Sequence, residues 1–478
     1  MSSTTTIHAG YAPAAPHFPV AVPVHQTTAY EFPSYADARQ MFALTKPGFT
    51  YSRTGNPTVA VLEQRVAELE GGTAAVALAS GQSAVALALL ALLGRGDAER
   101  AGVDGHDGGP RTIVAARQLY GGTLDLLTDT FADFGYRVDF VDHQDLDAWR
   151  AAITPRTRAV LLESITNPLA ELADVPAIAE IAHAAGVPVV VDNTLATPVL
   201  YRPLEHGADI VVHSATKFLG GHGSALAGVV VDGGRFDFAA DPAKWQQLAA
   251  PKARYAAGSG AGASLVERYP SCPFAALVRS KYLHDLGPAL APDAAASILR
   301  SIETLELRIA RHGANARAVA AHLAEHPAVA RVHHPAVLAG TAPESTTARI
   351  AARDYPRGAG SVFAFDLAVD PDRDPDAVGR FIDALGLFKL VANLGDTRSL
   401  VAHPAAMTHC RMTREQRAAA GISETTIRVS IGLEEPEDLV ADLDQALLTV
   451  VGTHIDSVGA ATAAGARTLD PQEGRVAS

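Results

Sequence analysis

Short apolar runs alternate with amphipathic segments between about residue 58 and residue 231. Runs of aliphatic and β-branched residues predict strands, because a strand buried on both faces is apolar along its whole length. The predicted strands are Ala74–Ala79, Thr112–Ala116, Tyr136–Val141, Ala159–Glu163, Val187–Val191, Ile210–His213 and Ala227–Val231. The helices predicted between them are Val59–Leu69, Ala84–Leu93, a helix from Tyr120 to about Phe134, and Val175–Ala185. This alternation predicts an α/β fold with a mostly parallel sheet covered by helices on both faces.

A second, smaller α/β domain is predicted in the C-terminal part of the chain. Its strands are Ser361–Leu367 and Thr426–Ile431, and its helices are Ala294–Glu325 with a break at Gly313, Asp376–Leu385 and Glu437–Leu448. We therefore divide the chain into an irregular arm over residues 1–60, a large domain over residues 61–290, a small domain over residues 291–452 and a tail over residues 453–478. The Ala- and Gly-rich tail is predicted to be disordered. So long an irregular arm is expected to contact another surface.

Polar residues of unusual kinds follow the predicted strands. They are Ser80, Gly81 and Gln82 after the first strand, Tyr120 after the second, Asn167 after the fourth, Asp192 and Thr194 after the fifth, and Ser214, Thr216 and Lys217 after the sixth. Because ligands of open α/β sheets bind beyond the carboxyl ends of the strands, we expect these residues to border one crevice. The turn at residues 80–82 also joins a strand to a helix, a geometry in which backbone N–H groups and the helix dipole favour an anion.

Lys217 lies four residues after the mainly apolar run over residues 209–213, and it precedes a glycine-rich turn. Desolvation at the end of a buried strand lowers the pKa of an amine and makes it a nucleophile, whereas a side chain that reaches solvent would keep an ordinary ammonium. The spacing of Ser214 and Lys217 also matches the Ser-x-x-Lys motif of penicillin-binding hydrolases. The Lys-Thr-Gly and Ser-Asp-Asn motifs that accompany it in those enzymes are absent from the sequence.

The residues expected around the crevice match the chemical needs of pyridoxal phosphate. This cofactor requires a lysine for a Schiff base and an acidic partner for its pyridinium nitrogen. Lys217 and Asp192 can supply these two groups, while Tyr120 can stack on a planar ring. Serine, threonine and backbone N–H groups can hold the phosphate. The sequence therefore predicts a site for pyridoxal phosphate at this edge of the sheet.

Composition excludes several other classes of function. The 478 residues include 52 acidic and 39 basic ones, for a net charge of −13, which indicates no surface for nucleic acid or anionic membranes. Cys272 and Cys410 are the two cysteines, too few for a disulfide framework, so we expect a reducing, cytoplasmic compartment. Met1–Gly10 has no signal-peptide pattern, and apolar runs are too short to span a bilayer. The spacing of His403, His409 and Cys410 fits no zinc pattern, so no metal is expected.

Several motifs together resemble those of the fold-type I pyridoxal-phosphate enzymes of the Cys/Met metabolism family. This family includes O-acetylhomoserine sulfhydrylases, cystathionine γ-synthases, cystathionine lyases and methionine γ-lyases. The matching segments are residues 51–58 (YSRTGNPT), 80–82 (SGQ), 120–123 (YGGT), 167–168 (NP), 191–194 (VDNT), 213–217 (HSATK) with 220–223 (GGHG), and 427–432 (IRVSIG). The resemblance implies a PLP-dependent transferase in which residues 61–290 bind the cofactor.

The resemblance also implies a role for each residue of the crevice. The implied catalytic residues are Lys217, Asp192 and Tyr120. Lys217 would carry the cofactor and move protons, Asp192 would pair with the ring nitrogen, and Tyr120 would stack on the ring and act as an acid or base. The other implied cofactor-binding residues are Ser80, Gly81, Gln82, Asn167, Thr194, Ser214 and Thr216. The implied substrate-binding residues are Asn393, Arg398, Ser399 and Arg428, of which Arg428 would hold the α-carboxylate.

Oligomerisation follows from the same resemblance. Tyr51 and Arg53 of the arm would reach the phosphate in the neighbouring subunit, so a dimer would be the smallest active unit, and a homotetramer with shared active sites is expected. Without the resemblance, Arg53 would be interpreted as a surface arginine in a loop.

The segment over residues 393–400 (NLGDTRSL) resembles the O-acetylhomoserine sulfhydrylase branch. That resemblance implies γ-replacement on an O-acylated homoserine, with sulfide or a thiol as nucleophile, to give homocysteine or a related amino acid. Gly122 replaces the cysteine that is typical of methionine γ-lyases. Met407, the segment over residues 256–295 and an apparent insertion over residues 94–110 differ from the sulfhydrylase pattern. The alternatives are therefore a cystathionine γ-synthase or γ-lyase activity, a larger thiol or carbon nucleophile, and a non-enzymatic relative that binds the cofactor.

Overall fold

The computed structural model describes residues 3–43, 45–94, 111–255 and 262–451. The predicted insertion, apart from Gly94 itself, lies outside the described residues. So do the segment Ala256–Ala261 and the predicted tail. Within the described part of the chain, no helix is long and apolar enough to cross a membrane.

A seven-stranded sheet forms the larger part of the fold. Its strands are β1 (Ala74–Leu78), β2 (Thr112–Ala116), β3 (Arg137–Val141), β4 (Thr157–Glu163), β5 (Val189–Asp192), β6 (Ile210–Ser214) and β7 (Gly228–Asp232), in the order β1-β7-β6-β5-β4-β2-β3. Strands β2 to β6 pair in parallel, whereas β7 is antiparallel to both β1 and β6. The predicted mostly parallel sheet is therefore confirmed.

The connection between β6 and β7 is a short loop rather than a crossover helix. Residues 215–227 join β6 to β7 without an intervening helix, and neighbouring strands joined so closely pair antiparallel. Lys217 lies in this connection, at the same edge of the sheet as the carboxyl ends of β4 and β5.

A five-stranded sheet forms the smaller part. It contains β8 (Val329–His333), β9 (Val362–Leu367), β10 (Lys389–Leu390), β11 (Leu400–Ala402) and β12 (Thr426–Ser430), in the order β10-β11-β12-β9-β8. Only the β10–β11 pair is parallel among the four pairs. The predictions for β9 and β12 are confirmed. The apolar pattern did not predict β8, β10 and β11, because β10 and β11 are very short and β8 is partly exposed. The two sheets lie within the predicted large and small domains, and the exact domain boundaries stay a prediction.

The α-helices pack against the two sheets, and the first two helices lie in the arm. They are α1 (Ser3–His8), α2 (Tyr35–Phe42), α3 (Pro57–Glu70), α4 (Gly81–Leu93), α5 (Gly121–Asp125), α6 (Phe131–Asp133), α7 (Leu146–Ala152), α8 (Val175–Ala184), α9 (Thr197–Leu200), α10 (Gln246–Ala249), α11 (Leu265–Arg268), α12 (Pro273–Leu277), α13 (His284–Leu286), α14 (Pro292–Ile302), α15 (Leu305–Glu325), α16 (Pro335–Thr341), α17 (Thr346–Asp354), α18 (Ala377–Ala384), α19 (Arg414–Ala419) and α20 (Pro436–Val451). A π-helical segment, Leu126–Thr130, joins α5 to α6.

The break predicted at Gly313 is wrong. The long helical stretch divides instead at Glu303 and Thr304, between α14 and α15, while Gly313 lies inside α15. A glycine inside a helix costs only about 1 kcal/mol relative to alanine. The buried face of α15, which includes Ile309 and Val319, offsets that cost by packing.

Helix α4 is apolar on all sides, as expected for a helix that is buried along most of its length. It packs against β6 and β7. A Cβ atom added to Gly81, the first residue of α4, would lie 2.5 Å from the Cβ of Ser214 at the end of β6. Only glycine therefore allows the N-terminus of α4 to approach the strand that leads to Lys217.

Candidate active site

Lys217 occupies the short connection after β6, and its side chain contacts the small domain. Its Nζ donates a hydrogen bond of 2.6 Å to Oδ1 of Asn393. Burial, followed by the positive charge of Arg428, lowers the pKa of Lys217 to about 8. The predicted desolvated lysine is therefore present in the structure. It has a larger neutral, nucleophilic fraction near neutral pH than an exposed lysine has.

The turn that carries Lys217 is fixed by backbone contacts. The N–H of Gly221 donates to the carbonyl of Lys217 at 2.6 Å, and Gly221 adopts a positive φ of 65°. Arg308 of α15 donates from Nη1 to the carbonyl of Phe218 at 2.9 Å. The glycines after Lys217 thus allow a tight turn that the small domain holds in place.

Asp192 ends β5, beside the strand that leads to Lys217. Its Oδ1 accepts the backbone N–H of Thr194 at 3.0 Å and the Thr194 hydroxyl at 2.5 Å. Burial raises the pKa of Asp192, and the two Thr194 hydrogen bonds oppose that rise. The Thr194 hydroxyl also accepts the backbone N–H of Ser214 at 2.8 Å, so it joins β5 to β6. Thr194 therefore orients the acid, and Oδ2 of Asp192 accepts no hydrogen bond from any residue that the structure describes.

The N-terminus of α4 is the place where the sequence predicts an anion site. Ser80 is the N-cap residue, and its Oγ accepts the N–H of Ser83 at 3.2 Å. The side chain of Gln82 donates to the carbonyl of Gly122 at 2.8 Å, so this amide ties α4 to α5. Thr216 exchanges hydrogen bonds with the backbone of Ala227. The groups best placed for a phosphate are accordingly the first N–H groups of α4 and the hydroxyl of Ser214.

Tyr120 and Asn167 lie on the loops that follow β2 and β4. Tyr120 is 45% exposed, which leaves its ring free to contact a planar ligand. Asn167 is buried, and its Oδ1 has no hydrogen-bond partner in the described structure. The backbone N–H groups of both residues donate to the carboxylate of Glu163, the last residue of β4. From the sequence, Glu163 was predicted only to end a strand, although an acid directly after the apolar residues 159–162 is itself a signal.

Arg428 and Asn393 form the side of the crevice that belongs to the small domain. Arg428 lies in β12 and is only 2% exposed. Its Nη2 donates to the backbone carbonyl of Asn393 at 2.7 Å. Asn393 thus contacts both Arg428 and Lys217. Substrate binding by Asn393 and Arg428 stays a prediction.

The other two predicted substrate-binding residues have protein partners. The Ser399 hydroxyl donates to Glu434 at 2.9 Å and accepts the N–H of Gly432 at 2.8 Å. Arg398 donates from Nη1 to Asp396 at 2.9 Å. These contacts fix the loop between β10 and β11, and a direct role in substrate binding stays a prediction for both residues.

Tyr51 and Arg53 lie next to one another on the surface of the arm. Tyr51 is 48% exposed, and the Arg53 guanidinium lies 5.6 Å from the centre of the Tyr51 ring.

His403 and His409, considered above as metal ligands, make hydrogen-bond contacts with the Glu424 carbonyl and the Thr408 hydroxyl, respectively. Within the described residues, no group of three or more His, Cys, Asp or Glu side chains could hold a metal ion.

The residues present fit pyridoxal phosphate. A lysine with a lowered pKa, an acid with one open carboxylate oxygen, and a helix N-terminus all lie at the edge of the sheet where β5 and β6 end. The unpartnered Oδ1 of Asn167 is a further polar atom that the protein alone does not satisfy.

Comparisons with known proteins identify related enzymes. The model of the family described as Cys/Met metabolism PLP-dependent enzyme matches residues 3–448. An O-acetyl-L-homoserine sulfhydrylase from Leptospira meyeri is 39% identical over 94% of this chain and 96% of the relative. An L-methionine gamma-lyase from Pseudomonas putida is 40% identical over 93% of this chain and 96% of the relative.

A crystal structure from Campylobacter jejuni, described as an O-acetylhomoserine (thiol)-lyase, carries N'-pyridoxyl-lysine-5'-monophosphate. It is similar to this fold with a TM-score of 0.84 and 34% identity, over 93% of this chain and 99% of that one. The chain belongs to the Cys/Met metabolism family of PLP-dependent enzymes. The expected fold class, family and cofactor are thereby confirmed.

Proposed function

We propose that this enzyme catalyses γ-replacement on an O-acylated homoserine, with O-acetylhomoserine as donor and sulfide or a small thiol as nucleophile. The observation that carries the proposal is the contact of Asn393 with both Lys217 and Arg428. This arrangement presents an amine beside a buried guanidinium that can take an α-carboxylate. The names of relatives such as the Leptospira meyeri sulfhydrylase support the choice of donor.

Different protein groups would have different roles in this reaction. Lys217, Asp192, Ser214 and the N-terminus of α4 would hold pyridoxal phosphate, which supplies an electron sink for carbanion chemistry when bound. Arg428 would bind the α-carboxylate in a bidentate manner and so orient the α-carbon toward Lys217. The neutral Lys217 amine would accept the α-proton and return it at the end of the reaction.

The balance of the reaction follows from its two substrates. O-acetylhomoserine loses acetate as the Cγ–O bond breaks, and the sulfur nucleophile forms a new bond to Cγ. With hydrogen sulfide the products are homocysteine and acetate. A lyase would instead release a 2-oxo acid and ammonia without incorporating the nucleophile. The glycine at position 122, where methionine γ-lyases typically have cysteine, favours replacement over that alternative.

The assay that tests this proposal pairs two donors with three nucleophiles. The cofactor-loaded enzyme is incubated with O-acetyl- or O-succinylhomoserine and with sulfide, methanethiol or cysteine, and the products are measured by mass spectrometry. We expect homocysteine and acetate from O-acetylhomoserine and sulfide. A 2-oxo acid as the main product would support the lyase alternative, and cystathionine as the preferred product would support the synthase alternative. No product from any pair would reject γ-replacement of these donors by sulfur nucleophiles.

We further propose that two subunits share each active site. The arm exposes several large apolar side chains, namely Phe18, Val20, Val24, Tyr35, Phe42 and Tyr51. A surface with so many apolar side chains favours contact with a second copy of the chain. Arg53, which lies beside Tyr51, would then reach the phosphate in the neighbouring subunit, and two such dimers would form a tetramer.

We also propose a cytoplasmic location, which the two free cysteines favour.

Complementation between two inactive variants tests the shared site. Arg53→Ala and Lys217→Ala subunits are co-expressed with different tags, and the hybrids are purified by both tags. If Arg53 acts in the neighbouring subunit, each hybrid dimer contains one intact site and regains about half of the wild-type activity. If Arg53 acts within its own subunit, no site in the hybrid is intact. Activity at the background level of the two parent variants would therefore contradict the proposal.

A further inference from the structure

Glu163 closes β4 at the edge of the sheet where the candidate active site lies. It is only 5% exposed, and its register partner on β5 is Asp192. Two carboxyl groups on neighbouring strands therefore lie side by side in a buried setting. Burial, followed by the charge of Asp192, raises the pKa of Glu163 to about 8. A second acid so close to the ring-nitrogen partner is costly, and it requires a reason beyond strand formation.

The hydrogen bonds of Glu163 supply that reason. Its Oε1 accepts the backbone N–H of Tyr120 at 2.6 Å, and its Oε2 accepts the backbone N–H of Asn167 at 3.1 Å. One carboxyl group thus joins the loop after β2 to the loop after β4. The two loops carry the two side chains that would contact the faces and edge of the cofactor ring.

Packing alone constrains Tyr120 only in part, because its ring is 45% exposed. A Cβ atom at Gly122 would lie 2.6 Å from Cε1 of Tyr120, so the glycine leaves room for the ring but does not anchor it. The backbone of Tyr120 is instead anchored at its N–H by Glu163. Asn167 is buried, its Oδ1 has no partner in the described structure, and its backbone N–H is likewise held by Glu163.

We propose that Glu163 is a positioning residue of the active site, which sets the backbone of Tyr120 and Asn167 so that both side chains meet the cofactor ring. This inference rests on the proposed use of those two residues at the ring. It assigns a role to a carboxyl group that touches neither substrate nor cofactor.

Glu163→Gln is the direct test, because it keeps the shape of the side chain. Its amide has one oxygen, so one of the two N–H groups must face an NH₂ group and stays unpaired. We expect kcat to fall about 10- to 100-fold, as for a buried donor left without an acceptor. KM for the donor should change less than about threefold, because Arg428 is untouched. The visible circular dichroism of the bound cofactor should change in intensity, while borohydride should still fix the cofactor on Lys217.

Glu63→Gln is the matched control. Glu63 is also a buried carboxylate that accepts a backbone N–H, from Ala77 at 2.9 Å, but it lies on α3 and pairs with Arg279. We expect this variant to lower the melting temperature but to leave kcat and the cofactor dichroism unchanged. If Glu163→Gln behaves in the same way, its role is structural and the inference is overturned.

A second variant keeps the test decisive if Glu163→Gln does not fold. Glu163→Asp retains both acceptor oxygens but shortens the side chain by one methylene, so it should draw the two loops out of place. Altered dichroism and a lower kcat at constant KM would support the inference, and wild-type values would overturn it. Should the wild-type enzyme form no product from any donor, the proposed function fails. The dichroism of the bound cofactor then still decides the role of Glu163.

Discussion

Replacement of Lys217 by alanine should lower kcat/KM by about 10⁴-fold or more. The residue is expected to act both as the covalent anchor and as the proton carrier, and proton transfer alone contributes about 10²- to 10⁴-fold in enzymes. The same variant should bind pyridoxal phosphate only non-covalently. Steady-state kinetics measure the first effect, and peptide mapping after borohydride reduction measures the second.

Lys244 offers a matched control for this prediction. Burial lowers its pKa to about 8 as well, but its Nζ donates to the carbonyls of Ala185 and Gly186 at the end of α8. Lys244→Gln should therefore retain both the reduced cofactor adduct and the activity. Cofactor fixed on Lys244 instead, or normal turnover by Lys217→Ala, would contradict the assignment of the site.

The lowered pKa of Lys217 also predicts how cofactor capture depends on pH. Only the neutral amine attacks a carbonyl, and its fraction rises about tenfold per pH unit below the pKa. Because the pKa is lowered to about 8, the capture rate of cofactor-free protein should rise through neutral pH and level off above about pH 8. A rate that still rises steeply above pH 9 would indicate an exposed, ordinary lysine.

The sequence predicts where the candidate site lies because the residues that could bind a cofactor follow the ends of predicted strands. Lys217 and Asp192 each follow an apolar run that could hardly be anything but a buried strand, and parallel strands bring such ends together. The structure confirms those strands and the parallel pairing between them. The direction of β7 was not predicted, since an apolar run carries no information on whether its partner is parallel or antiparallel.

Contacts between loops lay beyond prediction from the sequence. Glu163 is separated by 43 residues from Tyr120, so its hydrogen bond depends on how the loop after β2 folds back. Thr194 was predicted to bind the cofactor, and the structure adds its hydrogen bonds with Asp192 and Ser214, which the sequence did not predict. In both cases the hydrogen-bond partners are set by tertiary packing, which the local sequence does not specify. A direct contact between Thr194 and the cofactor stays a prediction.

Replacement of Arg428 is the second change with a large expected effect. Its guanidinium is buried, and burial lowers its pKa to about 10. Within the described residues, Nε of Arg428 has no hydrogen-bond partner and no carboxylate forms an ion pair with the side chain. A buried cation in this state is costly, and an arriving carboxylate would offset the cost.

Arg428→Lys should therefore lower kcat/KM for O-acetylhomoserine by about 30- to 3,000-fold. This range corresponds to roughly 2–5 kcal/mol for the loss of a buried, hydrogen-bonded charge pair. Lysine keeps the charge but lacks the planar fork that matches a carboxylate, and it also loses the contact with Asn393. Steady-state kinetics over a range of donor concentrations measure the effect.

Two comparisons separate carboxylate binding from a general loss of structure. Arg417 is a largely buried arginine that already pairs with a carboxylate, Glu424, at 2.6 Å, so Arg417→Lys should change kcat/KM less than about threefold. A donor analogue without the α-carboxylate should inhibit the wild-type enzyme far more weakly than one that has it. Arg428→Lys should reduce that difference, because the lost interaction is made only with the carboxylate. If the variant still prefers the carboxylate by the wild-type factor, another group binds it, and the next candidate is Arg398, the other arginine predicted to bind substrate, whose guanidinium is exposed.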